Sequence, residues 1–240
     1  MSVLEYLLAA LFVAAGAGTQ ACIGMGMGLI AGPVLVVIEP TAVPGPMLMI
    51  AGGINLRNAI ADRASLNAPA LRRQLLAAPL GLVGGMALLS ALSDRALAIA
   101  VSLFVLLAVA VQAFGVRPPE GQRADYAAGA GTAFSSSVAA VPGPVYAVFA
   151  SHWQPAALRA TLATYMLIVG TVIISALAVM GDFGLRQLWL GLGLLPAVAL
   201  GLPFGRWLRP RLAGPRFRMI VLAVAATSAT VVLIRQLVNG

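Results

Sequence analysis

Charge is what this sequence has least of. Only 9% of its 240 residues are Asp, Glu, Lys or Arg, against about a quarter in a soluble domain. So few charges cannot cover a water-facing surface, which excludes an ordinary soluble fold. Lysine is absent, and all 15 basic residues are arginine. Cysteine occurs once, at Cys22, and histidine once, at His152. One cysteine excludes an intrachain disulfide, and the sequence has no Cys/His metal spacing, so no metal and no cofactor are expected. An H-E-x-x-H pair, a Gly-rich phosphate loop ending in Lys and a G-x-S-x-G elbow are also missing. Met1–Tyr6 holds Glu5 and no basic residue, so it lacks the positive start of a cleavable signal, and the first hydrophobic run is expected to belong to the mature protein.

What the sequence does have is apolar length. Hydrophobic residues make up 61% of it, and mean hydropathy is +0.99. A membrane-spanning helix takes about 20 apolar residues. Apolar runs between charges and turn residues lie near Val3–Ile38, Val43–Ala61, Leu75–Leu92, Ala96–Phe114, Tyr126–Ala150, Ala156–Met180, Leu188–Leu202 and Ile220–Val238. These predict an all-α, multi-pass membrane protein of eight units embedded in a lipid bilayer. The net charge of +8 belongs with topology rather than nucleic acid, because the arginines gather in a few loops and no basic stripe is interleaved with aromatics.

Two units are irregular. The first carries Gly24, Gly26, Gly28, Gly32 and Pro33; the fifth carries Ser135, Ser136, Ser137, Pro142, Gly143 and Pro144. Both are read as broken helices. They also share sequence: Ala15–Thr19 (AGAGT) recurs as Ala128–Thr132, and Gly32-Pro33-Val34 recurs as Gly143-Pro144-Val145. Pro44 follows the first broken unit as Pro155 follows the second, and three plain segments come next in each half. We read a duplication: residues 1–115 and 124–240 as homologous halves, with 116–123 as a cytoplasmic linker.

Charge then orients the halves. Arg63, Arg72 and Arg73 follow the second unit, and Arg206, Arg209, Arg211, Arg216 and Arg218 follow the seventh. Eight full crossings would put these clusters on opposite faces. If the first and fifth units instead enter and return, both clusters face the cytoplasm with Arg117 and Arg123, as basic loops prefer. Each half then crosses three times, so the repeats are inverted. Inverted repeats with matched broken helices point to a secondary transporter whose site lies at the bilayer midplane.

At these residues the chain resembles the sulfite exporter TauE/SafE family, whose halves each begin with a Gly-rich broken segment followed by a proline-led helix. The likeness covers the layout of nearly the whole chain and is most specific over Gly18–Pro33, with Gly24-Met25-Gly26-Met27-Gly28. The second half departs from it, with Ser135–Val141 standing where the glycine run would recur. The resemblance implies movement of small sulfur-containing anions, such as sulfite or organosulfonates, with protons as the candidate coupling ion and the bacterial cytoplasmic membrane as the location.

An anion at midplane needs donors and positive potential, which half-helix N-termini supply. Gly24, Gly26 and Gly28 would let the backbone approach an oxyanion, and Ser135, Ser136 and Ser137 would donate hydroxyls. The alternative for the serines is helix–helix hydrogen bonding. Arg159 is an ionisable group in an apolar segment and so a candidate anion contact, although it stands near enough to a helix start to snorkel. Asn55, Arg57, Thr161 and Tyr165 complete the candidate substrate set. Glu39, Asp62 and His152 are the candidates for proton coupling. Two rival functions stay open: an intramembrane enzyme using Ser135–Ser137 with His152, and a channel or assembly subunit. Small-residue helix faces would also permit a homodimer.

Overall fold

A computed structural model describes residues 1–23, 26–115, 120–150, 152–212 and 215–238. Among them are ten α-helices and no strand: α1 (Val3–Ile23), α2 (Met27–Ile38), α3 (Gly45–Ala61), α4 (Ala68–Ala91), α5 (Asp94–Ala113), α6 (Gln122–Ala139), α7 (Gly143–Phe149), α8 (Pro155–Met180), α9 (Leu185–Leu212) and α10 (Pro215–Val238). The chain is therefore an all-helical membrane protein. Five helices, α1, α4, α5, α8 and α9, are long and apolar enough to cross a bilayer. Their outward faces are apolar: Leu80, Val83, Val179 and Trp189 are each more than two-thirds exposed. In water such a surface would drive aggregation; in lipid it meets its own kind.

The eight sequence units map onto the helices with two kinds of correction. First, charge does not mark the ends of helices. Arg72 and Arg73 lie inside α4, which starts at Ala68 because the Asn67 side chain accepts the Ala70 N–H. The backbones of Arg206, Arg209 and Arg211 lie in α9 and those of Arg216 and Arg218 in α10. Likewise Asp94 and Arg123 open α5 and α6 rather than preceding them. Charged residues mark where lipid gives way to headgroups, and a helix continues past that level. Second, the serines do not break the fifth unit. All three are helical, and each hydroxyl donates to a carbonyl three or four residues back: Ser135 and Ser136 to Thr132, at 3.1 and 2.6 Å, and Ser137 to Ala133 at 2.9 Å. Helical serines satisfy themselves this way without ending the helix. The break falls at Ala140, a non-glycine residue with φ of 52°, followed by Val141 and by Pro142, which has no N–H to continue the ladder. In the first unit, Gly28, Gly32 and Pro33 are inside α2, and the break lies between Ile23 and Met27.

Packing interlocks the two ends of the chain. α4 packs on α6, α1 on α9, α3 on α8 and α5 on α10. α4 and α6 run parallel: Arg73 pairs with Asp125 near their starts, and further along, a Cβ on Gly85 would strike Phe134 and Ser137. α1 and α9 also run parallel, with Tyr6 donating to the Gly193 carbonyl at 2.5 Å and Gly201 against the Ala14 backbone. Glycine makes the α4–α6 approach close from both sides: a Cβ on Gly81 would meet the Ala130 carbonyl and one on Gly129 the Gln74 carbonyl. Small residues at such crossings are how helices associate in lipid.

α3 and α8 cross antiparallel through the middle. Gly45 lies beside Leu177 and Phe183, and at the other end Arg159 Nε is 2.8 Å from Asp62 Oδ2. The first end carries Glu39, Asp94 and Asp182; the second carries Asp62, Arg72, Arg73 and Arg159. We refer to them as the acidic and the arginine face. Pairings connect elements across each. Glu39 meets Arg186 of α9 at 2.9 Å, and Arg95 donates to the Gln236 carbonyl of α10 at 3.0 Å, both on the acidic face. Asn67 N–H donates to Thr161 Oγ1 at 3.1 Å on the arginine face.

Candidate functional site

Both broken units double back. Cβ atoms on Gly16 and Gly26 would contact Met27 and Thr19 respectively, so α2 folds down along α1 and ends at Glu39, on the acidic face from which α1 sets out. In the second unit a Cβ on Gly131 would contact Val145. Tyr146 donates to Gln74 Oε1 at 3.0 Å, so α7 folds back along α6 towards the arginine face. The two bends meet inside the molecule. Gly28 lies against the Ala140 carbonyl and Val141, too close for any side chain. Gly32 faces Ala139 and Val141 more loosely.

Where the bends meet there is a cavity with about 30 Å³ open to the centre of a water molecule. It is framed by the bends, by Gln20 of α1, by Leu48, Ala51 and Asn55 of α3, and by Leu162 and Met166 of α8. The spacing of Leu48, Ala51 and Asn55 is one stripe of a helix, and Leu162 and Met166 form its facing stripe. Among the described residues its polar side chains are two carboxamides. Gln20 Nε2 donates to Asn55 Oδ1 at 3.3 Å, and each residue is 7% exposed. Backbone donors come from the start of α2, whose first intrahelical bond is Ile30 N–H to Gly26 C=O. The amides of Met27, Gly28 and Leu29 precede that bond and are left over by the helix itself. Three methionines, Met27, Met47 and Met166, supply deformable walls.

The candidate residues fall into distinct places. Gly26, Gly28 and Asn55 line the cavity; Gly24 lies outside the described residues. Ser135, Ser136 and Ser137 are fully buried and bonded to their own helix. Tyr165 is also fully buried and donates to the Gly129 carbonyl at 2.6 Å. Thr161 is buried with its hydroxyl engaged by Asn67. Arg57 faces outward. Arg159 lies one turn before Leu162 towards the arginine face, engaged with Asp62. The two side chains there are 14% and 23% exposed. Glu39 accepts from Thr41 at 2.6 Å as well as from Arg186. His152 sits 3.7 Å from Glu120 at the chain's surface, while the serine hydroxyls are held by carbonyls in the interior, so the structure does not assemble them as nucleophile and base.

Gln20 is the functional candidate that sequence reading passes over. It stands alone in an Ala/Gly run, one residue after the repeated Ala15–Thr19 segment. A polar amide at the end of an apolar span next to a predicted break was the available signal.

Comparison with known proteins gives one result. Residues 8–232 match the family model described as Sulfite exporter TauE/SafE, which is nearly the whole chain. No curated protein and no solved structure gives a match.

Proposed function

Because this chain belongs to the sulfite exporter TauE/SafE family, a family of membrane transporters, we propose that it carries a small sulfur-containing anion of the sulfite or sulfonate type across the bacterial cytoplasmic membrane by alternating access. The observation that carries this reading is the meeting of the two bends, entering from opposite faces, in one cavity. Irregular backbone at membrane depth is tolerated where protein buries it or where it lines a cavity, and broken helices are how transporters bring helix termini to a substrate.

The two halves act as inverted repeats in this proposal. Advancing each helix by five exchanges the α1–α9 contact with α4–α6 and returns α3–α8 and α5–α10 to themselves. That exchange supports a two-fold relation between residues 1–115 and 124–240. The antiparallel crossing of α3 and α8 puts Asn55 opposite Met166 in the cavity wall. The arginine face is cytoplasmic, as basic segments resist translocation.

Alternating access needs contacts that close each face in turn. Asp62–Arg159 closes the arginine face one to two turns from the cavity, and Glu39–Arg186 ties α2 to α9 on the acidic face. Both pairs are made in the present structure, which in this proposal corresponds to a state with both faces closed. Protons are the coupling ion for sulfite.

The test is flux. Purified protein in sealed vesicles should exchange labelled sulfite or methanesulfonate across the bilayer, and Gln20→Leu/Asn55→Leu protein should do so at least tenfold more slowly at subsaturating concentration. Exchange equal to that of protein-free vesicles for every sulfur oxyanion would remove the proposal.

A further inference from the structure

We propose that the Gln20–Asn55 carboxamide pair makes the cavity selective for singly charged oxyanions, so that sulfite crosses in its protonated form and carries its own proton. This rests on the transport reading above and specifies the ligand of that site.

Among the described residues the lining contains no ionisable side chain. Residues 21–25 and 144, adjacent to it in sequence, are Ala, Cys, Ile, Gly, Met and Pro, and none is a fixed charge. Arg159 is held away from the lining by Asp62. What the wall offers an anion is therefore neutral: one amide hydrogen of Gln20 beyond its bond to Asn55, the Asn55 amide, and the leftover N–H groups of α2 with their positive dipole end. Asn55 Nδ2 donates to no protein group among the described residues, although the residue is 7% exposed. A buried amide with unused donors, aimed into a cavity, is a built hydrogen-bonding site.

Neutral donors discriminate by charge. The penalty for removing an ion from water grows as the square of its charge, so a dianion costs about four times as much as a monoanion of equal size. The benefit from a fixed set of dipoles grows only in proportion to charge. Without a cation in the wall, the balance favours the monoanion. Hydrogen bonding adds to this preference, because a protonated oxyanion brings an O–H donor that Gln20 Oε1 or Asn55 Oδ1 can accept. Sulfonates, singly charged at all relevant pH, fit the same wall. The carboxylates Glu39 and Asp62 then serve as gate partners rather than proton carriers. Of the titratable or charged groups on the helices that frame the cavity, Arg159 on α8, Asp62 on α3 and Glu39 after α2 are ion-paired, Arg57 on α3 is exposed, and Tyr165 on α8 donates to the Gly129 carbonyl.

Equilibrium exchange in vesicles tests this, with equal pH on both sides and labelled sulfite or methanesulfonate as the probe. Above sulfite's second ionisation, the rate per total sulfite at subsaturating concentration should fall about tenfold for each pH unit, following the monoanion fraction. Methanesulfonate exchange should stay flat over that range. A flat or rising sulfite profile would overturn the proposal while leaving transport intact, as would a parallel fall for methanesulfonate, which would place the proton on the protein. Exchange of neither anion would instead sink the transport reading. As a second arm, Gln20→Leu/Asn55→Leu removes both amides together and strands no partner. It should keep its melting temperature and lose at least tenfold in apparent affinity for both anions. Unchanged affinity in the folded double variant would overturn the site assignment.

Discussion

Replacing Asp62 by Asn isolates the closing contact on the arginine face. Its carboxylate takes the Arg159 guanidinium at 2.8 Å, and the side chains are 23% and 14% exposed. Removing one partner of a fully buried pair costs about 3–5 kcal/mol, whereas an exposed pair contributes about 0–1 kcal/mol. This pair lies between those limits, so we take about 1–3 kcal/mol for its loss. If the pair exists only when that face is shut, the whole of this energy moves the closed–open equilibrium, by about 5- to 150-fold. The assay is labelling of a cysteine at Ala51, in the cavity wall, with Cys22→Ser as background and a membrane-impermeant thiol reagent applied from the arginine face. Asp62→Asn should speed labelling by at least fivefold, and Asp62→Arg/Arg159→Asp, which restores the pair with reversed polarity, should slow it again. Equal labelling rates in Asp62→Asn and the parent would refute the gate, and failure of the swap would assign the effect to lost packing.

Three further outcomes follow from the same geometry. Arg73→Gln breaks a pair on the same face whose partners, 27% and 15% exposed, join α6 to α4 away from the cavity; stability should fall by about 1–3 kcal/mol, as for the similarly placed Asp62–Arg159 pair, but Ala51→Cys labelling should be unaltered. Gly28→Ala should gain about 1 kcal/mol in helix propensity yet lower the melting temperature and transport, because the added methyl meets the Ala140 carbonyl; Gly52→Ala, with open space around it, is the control and should lower neither. Reporter fusions at Arg72 and Arg211 should report the same side of the membrane, the cytoplasm, and opposite sides would remove the inverted arrangement.

The membrane class was written in composition. With few charges and long apolar runs, no other medium could solvate the surface, so α4, α5, α8 and α9 were legible from hydropathy. Both breaks were visible too, because proline and clustered glycine disrupt a helix by local backbone chemistry. Their location was less so. Ser135–Ser137 have the composition of a break, but a helical serine can bond its own preceding carbonyl, and it took the structure to show the chain turning at Ala140 instead. Charges misled in the same manner: Arg72 and Arg73 suggested a loop, whereas the helix runs through them from its Asn67 cap.

Sequence by itself determined that this chain is helical, lies in a bilayer, breaks two of its helices and repeats a short motif at the first and second of them. Tertiary structure decided which polar groups share a space. Gln20 and Asn55 are 35 residues apart on different helices, and Asp62 and Arg159 are 97 apart. No local propensity relates such residues, because their proximity follows from how glycine-lined helices cross and where the two bends meet. The same crossing separated the candidates that line the cavity, Gly26, Gly28 and Asn55, from those held elsewhere, Ser135–Ser137, Thr161 and Tyr165. Hydrogen-bonding capacity is encoded in residue type, but whether a donor is left over for a substrate depends on what folding puts beside it.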